Sequence, residues 1–181
     1  MTRLSSFCLT CIFSLLLSAC VSQSDKIDFD RQQAAQARVE LGLGYLAEGN
    51  FAQAKLNLDK ALAYAPNYYL PHSALAYFYQ KQEALEQANA AYLTALKLDE
   101  NQGDVLNNYG AFLCSQGKYQ EAYAQFNKAL NSNGYYQQAD TYENLAICAF
   151  KAKDQETLQA NIHKLAQLNA ARAQLLQSKL K

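Results

Sequence analysis

The residues of this chain with the most chemical potential are five cysteines and two histidines. They do not form a reactive pattern. His72 and His163 have no partner at metal-ligand spacing, and no Ser or Cys stands in a nucleophile motif with either. The carboxylates are spread singly along the chain, where a solvated role is their default. Gly42-x-Gly44 suggests a phosphate loop, but no strand precedes it and no Gly-Lys-Ser/Thr follows. A metal, a small-molecule substrate, a cofactor and an enzymatic role are therefore not expected. What remains is sulfur chemistry, thioether or disulfide formation, at Cys8, Cys11, Cys20, Cys114 and Cys148.

Cys20 closes the stretch Leu17-Ser18-Ala19-Cys20. Before it, Arg3 supplies a positive charge and 4–17 is an apolar run too short to span a bilayer. The layout is that of a secretory signal over 1–19, and its end resembles the bacterial lipobox. The resemblance implies cleavage before Cys20 and a diacylglycerol joined to its sulfur, a covalent lipid being the only non-protein group expected. Ser18 and Ala19 are small enough for a peptidase groove. Val21 follows Cys20, and by resemblance to the Gram-negative sorting rule this implies the periplasmic face of the outer membrane. The polar stretch up to residue 34 reads as a flexible tether over 20–34, with a reach of roughly 20 Å. The alternative is that the first helix already begins near Asp30.

The elements that follow are set by a repeat. Gly42, Ala76 and Gly110 recur at a period of 34, as do Ala54, Ala88 and Ala122, and Ala61, Ala95 and Ala129. Leu58, Tyr92 and Phe126 give a bulky residue in the same register. Small residues let two helices approach, and the bulky ones fill the groove between them. The spacing resembles the tetratricopeptide repeat, with Pro66 ending the first copy. The expected fold is all-α: a right-handed superhelix of about four helix-turn-helix repeats, at 35–68, 69–102, 103–136 and 139–172, in a domain over 35–181. A capping helix over 170–181, carrying Leu175, Leu176 and Leu180, is expected to cover the open end.

The copies are unequal. The second has Lys81-Gln82-Glu83 where the first and third turn at Gly49 and Gly117. In the third, Asp104 is placed to cap the first helix. The linker Asn131-Ser132-Asn133-Gly134-Tyr135-Tyr136 shifts the register by two, so Gly110 answers to Ala146. The fourth copy is degenerate, with Leu158, Ile162 and Leu165 at the later signature positions. With Cys8 and Cys11 lost with the signal and Cys20 lipidated, Cys114 and Cys148 are left. Both fall late in the first helices of adjacent repeats, which pack side by side. A disulfide and two buried free thiols both fit that placement.

Lys+Arg and Asp+Glu number 16 each, so no basic field is available for nucleic acid. What such an array offers is an inner face lined by first helices. By register it should include Val39, Glu40, Leu43, Ser73, Ala74, Tyr77, Asn107, Asn108 and Ala111. The lining is apolar at one end and amide-rich at the other. Val39 and Leu43 replace two positions of the Lys and Asn arrangement that grips chaperone tails in other tetratricopeptide proteins, so a terminal carboxylate is not favoured as ligand. Packing between repeats is the alternative role for Leu43 and Tyr77. Capping or hydrogen bonding within the array is the alternative for Asn107 and Asn108.

Together, the lipobox, the short tether and Asn107-Asn108-Tyr109-Gly110-x-Phe112-Leu113-Cys114-x-x-Gly117 with the later Cys148 resemble the type IV pilus lipoproteins of the PilF/PilW family. The resemblance implies a disulfide between Cys114 and Cys148. It also implies a pilotin-like adaptor that binds the pilus secretin subunit and supports its localisation and multimerisation, or the stability of pili. The family carries more repeats than are read here. A general periplasmic scaffold for another envelope complex is the alternative reading.

Overall fold

The computed structural model describes residues 26–180. Among these residues it contains nine α-helices and no strand. They are α1 (26–47), α2 (Phe51–Tyr64), α3 (Tyr69–Lys81), α4 (Leu85–Leu98), α5 (Gly103–Ser115), α6 (Tyr119–Leu130), α7 (Gln138–Ala152), α8 (Gln155–Leu168) and α9 (Ala170–Lys179). The chain divides into two compact units between Pro71 and His72. The signal segment 1–19 and Cys20 lie outside the described residues.

In the first unit, α1 and α2 meet at Gly42. A Cβ there would stand 2.8 Å from Leu58 Cδ2 and 3.3 Å from the Ala54 carbonyl, so only glycine allows this approach. Gly49 takes a left-handed φ of 75° at the turn, and the Asn50 side chain caps α2 by accepting from the Gln53 amide. The α2 helix ends at Ala65, just before Pro66. One sequence expectation needs correction here. The sequence reads as a tether up to residue 34, with a helix start near Asp30 as the alternative, but helix is already present at residue 26. From there to Gly42 the chain has neither Gly nor Pro, and Ala34, Ala35 and Ala37 favour the helix.

In the second unit, α5–α6 and α7–α8 are successive hairpins and α9 follows. Gly110 lies against Phe126, where an added Cβ would be 2.7 Å from the ring. Phe126, Ala122 and Ala129 are fully buried, which is what the 34-residue pattern requires. The turns confirm the register. Gly117 has a φ of 75°, while Glu83 (58°) and Lys153 (59°) adopt the left-handed conformation without being glycine. The two-residue shift comes from the linker after α6, where Tyr135 folds onto Gly103. A Cβ on Gly103 would be 2.4 Å from the Tyr135 ring. The buried Tyr135 hydroxyl shares a 2.7 Å hydrogen bond with the Thr141 hydroxyl, which anchors the linker to α7.

Two further expectations change. Asp104 does not cap α5: the helix starts at Gly103 with Gln102 before it, so Asp104 lies within the first turn. On α9, Ala173 and Leu176 are buried against a cluster that includes Ala146, Ala149, Leu158, Ile162 and Leu165. Leu175 instead faces solvent and Leu180 is half-buried, because residues 175 and 176 diverge by about 100° around a helix.

Candidate functional site

The expected inner-face residues fall into two groups, one in each unit. In the first, Val39 is buried, Leu43 half-buried and Glu40 exposed on α1. Glu40 accepts from the Gln36 side chain at 3.0 Å. Nearby, Arg38 Nη1 donates to Asn57 Oδ1 at 3.0 Å, and Asn57 Nδ2 donates to the Gln53 carbonyl, so the buried amide on α2 is bonded through both its oxygen and its nitrogen. The sequence reading did not single out Arg38 or Asn57. Arg38 has no counterpart in the other repeats, whereas Asn57 is answered in the shifted register by Asn161, whose Nδ2 donates in the same way to the Thr157 carbonyl.

In the second unit, Ser73 and Ala74 are buried on α3, while Tyr77 is 40% exposed with Lys81 Nζ 5.2 Å from its ring centroid. On α5, Asn107 is buried, Ala111 half-buried and Asn108 exposed. Val39, Ser73, Ala74 and Asn107 therefore contribute mainly to packing. Glu40, Tyr77 and Asn108 present the larger accessible surface, with Leu43 and Ala111 between these extremes.

Two ties join α5 to α7. Asn144 Nδ2 donates to Asn107 Oδ1 at 3.1 Å. Further along, Cys114 and Cys148 are joined by a disulfide, their Cα atoms 5.7 Å apart and both residues buried. Asn144 was missed by the sequence reading, although the two-residue shift puts it in register with Asn108. Beneath this face, Tyr92, Tyr109 and Phe112 form an aromatic group with centroids 5.4–6.2 Å apart. Burial pushes the Tyr92 and Tyr109 hydroxyls above the ordinary phenol range, with Tyr77 and Glu121 as lesser causes respectively. Their hydroxyls donate to Gln80 and Asn89. At the other end, Arg172 of α9 binds Asp140 and Glu143 of α7. The accessible part of this face consists of the exposed Tyr77 ring, the exposed Asn108 amide and the half-buried Ala111 methyl, while Tyr92, Tyr109 and Phe112 are buried.

Known proteins share this pattern. The tetratricopeptide repeat family is matched over residues 91–124. A Haemophilus influenzae protein described only as uncharacterized is 50% identical, over 92% of this chain and 93% of its own length. The type IV pilus assembly protein PilF of Pseudomonas aeruginosa is 36% identical over 84% of this chain. The solved structure of PilF gives a TM-score of 0.76 at 35% identity, covering 83% of this chain and 69% of that one. The chain belongs to the tetratricopeptide-repeat family of PilF and PilW. The structure of PilW, a widely conserved type IV pilus biogenesis factor, gives a TM-score of 0.70 at 25% identity over 75% of this chain. The chain spans 62% of the length of PilF in the sequence match and 62% of the PilW structure.

Proposed function

We propose that this protein is a lipid-anchored adaptor of type IV pilus biogenesis. It sits on the periplasmic face of the outer membrane, binds the pilus secretin subunit, and promotes the localisation and multimerisation of that subunit. The observation that carries this reading is the kinship with the pilus assembly protein PilF, over most of the chain and in the same fold. The lipobox-like Leu17-Ser18-Ala19-Cys20 supports the anchor. Several acyl chains, each buried methylene contributing about 0.8 kcal/mol, hold a protein at a bilayer far better than one. No helix among the described residues is long and apolar enough to cross a membrane. The protein acts by binding, without a cofactor and without turning over a substrate.

Fractionation of cells carrying Cys20→Ala tests the reading. The variant is expected in the soluble periplasm, with fewer secretin multimers in the outer membrane. An unchanged membrane fraction would contradict the anchor. Normal secretin multimers with the variant fully soluble would favour a general periplasmic scaffold.

A further inference from the structure

The first two turns of α1 stand clear of the fold. Residues 26–33 are all exposed, and the first buried residue of the helix is Ala35. This end nevertheless carries Ile27 and Phe29, 46% and 59% exposed. Of the large hydrophobic side chains among the described residues, only Tyr136 is more exposed than Phe29. The rest of the segment is polar, with Lys26 and Arg31 balanced by Asp28 and Asp30 and followed by Gln32 and Gln33. Keeping the phenyl ring and the Ile27 side chain in water forgoes free energy that their burial would recover.

The place of this segment in the chain says what covers it. Only residues 21–25 separate Cys20 from the start of α1. A chain advances at most about 3.6 Å per residue, so the step from Cys20 to Lys26 spans at most about 22 Å. With a lipid on Cys20, α1 begins within that distance of the bilayer by whatever path the chain takes. Ile27 and Phe29 lie about 160° apart around the helix and about 3 Å apart along its axis. No single face carries both, unlike a helix that lies flat on a membrane by one apolar side. Standing on its end, the helix brings both side chains to one depth, with Asp30 and Arg31 following toward water. The balanced charges of the segment leave apolar contact, not attraction to anionic lipid, to hold it there.

We propose that the first turn of α1 is a membrane-docking element, in which Ile27 and Phe29 insert end-on at the headgroup–acyl boundary of the bilayer that holds the lipid. The lipid makes this contact intramolecular, so two side chains suffice where they would not hold a free protein. The exposed turns of α1 then act as a post. At 1.5 Å per residue, Ala35 stands about 12 Å above Ile27, and the α1–α2 hairpin begins at that height. This rests on the lipid anchor of the adaptor reading and adds how the folded part is held relative to the membrane.

The test uses the full-length lipidated protein in vesicles of phosphatidylethanolamine and phosphatidylglycerol, with and without brominated acyl chains. The chain has no tryptophan, so Phe29→Trp supplies a single probe at the docking turn and Phe51→Trp one at the far end of the hairpin. The Phe29→Trp emission is expected to shift to the blue and to lose intensity in brominated vesicles. The Phe51→Trp emission is expected to do neither. Tryptophan itself favours the interface, so the unsubstituted chain is read as well, by hydrogen exchange. Its amides at 30–33 are expected to exchange more slowly on vesicles than in the soluble Cys20→Ala chain, and Ile27→Ser with Phe29→Ser in the lipidated chain to abolish that difference. Unquenched Phe29→Trp in protein that floats with the vesicles overturns the proposal and leaves the anchor standing. So does equal quenching at both probes, or equal exchange in the three chains. Protein that does not float with the vesicles overturns the anchor, and this proposal with it.

Discussion

In the third repeat α5 and α6 meet at Gly110, whose missing side chain makes room for the Phe126 ring, with Ala122 and Ala129 as small seats on either side. In the fourth repeat α7 and α8 meet at Ala146, and aliphatic side chains (Leu158, Ile162 and Leu165) take the place of the ring and its seats. The third repeat specifies its geometry by size complementarity within the hairpin. The fourth has a less specific interior and is held from outside. The disulfide and Asn144 tie α7 back to α5, Tyr135 anchors the linker before it, and Arg172 draws α9 onto Asp140 and Glu143. A degenerate repeat can thus keep the fold when covalent and ionic ties replace the lost packing code.

The largest effect should follow from cutting the bridge. Cys114→Ala with Cys148→Ala opens a loop of 34 residues, worth about 3–4 kcal/mol in the chain-entropy model. Thermal unfolding followed by circular dichroism should fall by roughly 10 °C. An unchanged melting temperature would mean that the fourth repeat is self-sufficient.

Next comes Gly110→Ala. The added methyl collides with the buried Phe126 ring, an overpacking of about 1–3 kcal/mol against a helix-propensity gain of about 1 kcal/mol. A net loss of up to about 2 kcal/mol in denaturant midpoints is expected. A stabilised variant would show that the third repeat does not depend on close approach.

Arg172→Ala should cost about 0.5–1 kcal/mol, since its side chain is 35% exposed and salt screens the pair. Amides of α9 should exchange faster, with little change in α5 and α6. Uniform acceleration would break the claim that α9 is held locally.

The smallest effect is the alkaline limb of stability. Burial raises the phenols of Tyr92, Tyr109, Tyr123 and Tyr135. A raised phenol is protonated in the fold when the unfolded chain has begun to ionise. Stability from these groups is fully present below about pH 10 and is lost as pH rises through their folded values. Tyr92→Phe should flatten that limb, and an identical limb in the variant would contradict the assignment.

The period of the array was legible because close packing leaves a mark in sequence: small residues where backbones approach, one bulky residue between them, and a two-residue offset recognisable from Ala146. What escaped was what packing periodicity does not encode. The left-handed turns at Glu83 and Lys153 carry no glycine to announce them. Tyr135 reaches Gly103 from a linker, where no helical pattern applies. The start of α1 is polar on most sides, with Ile27 and Phe29 both exposed, so its helicity rests on propensity without an apolar stripe. Inner-face residues were found by register, but register alone does not separate the buried Asn107 from the exposed Asn108.

The adaptor reading is tested most directly by unboiled outer membranes probed for heat- and detergent-resistant secretin rings, with and without this gene. The account predicts that the rings vanish and secretin monomers collect elsewhere when the gene is removed. Undiminished rings together with normal surface pili would contradict it.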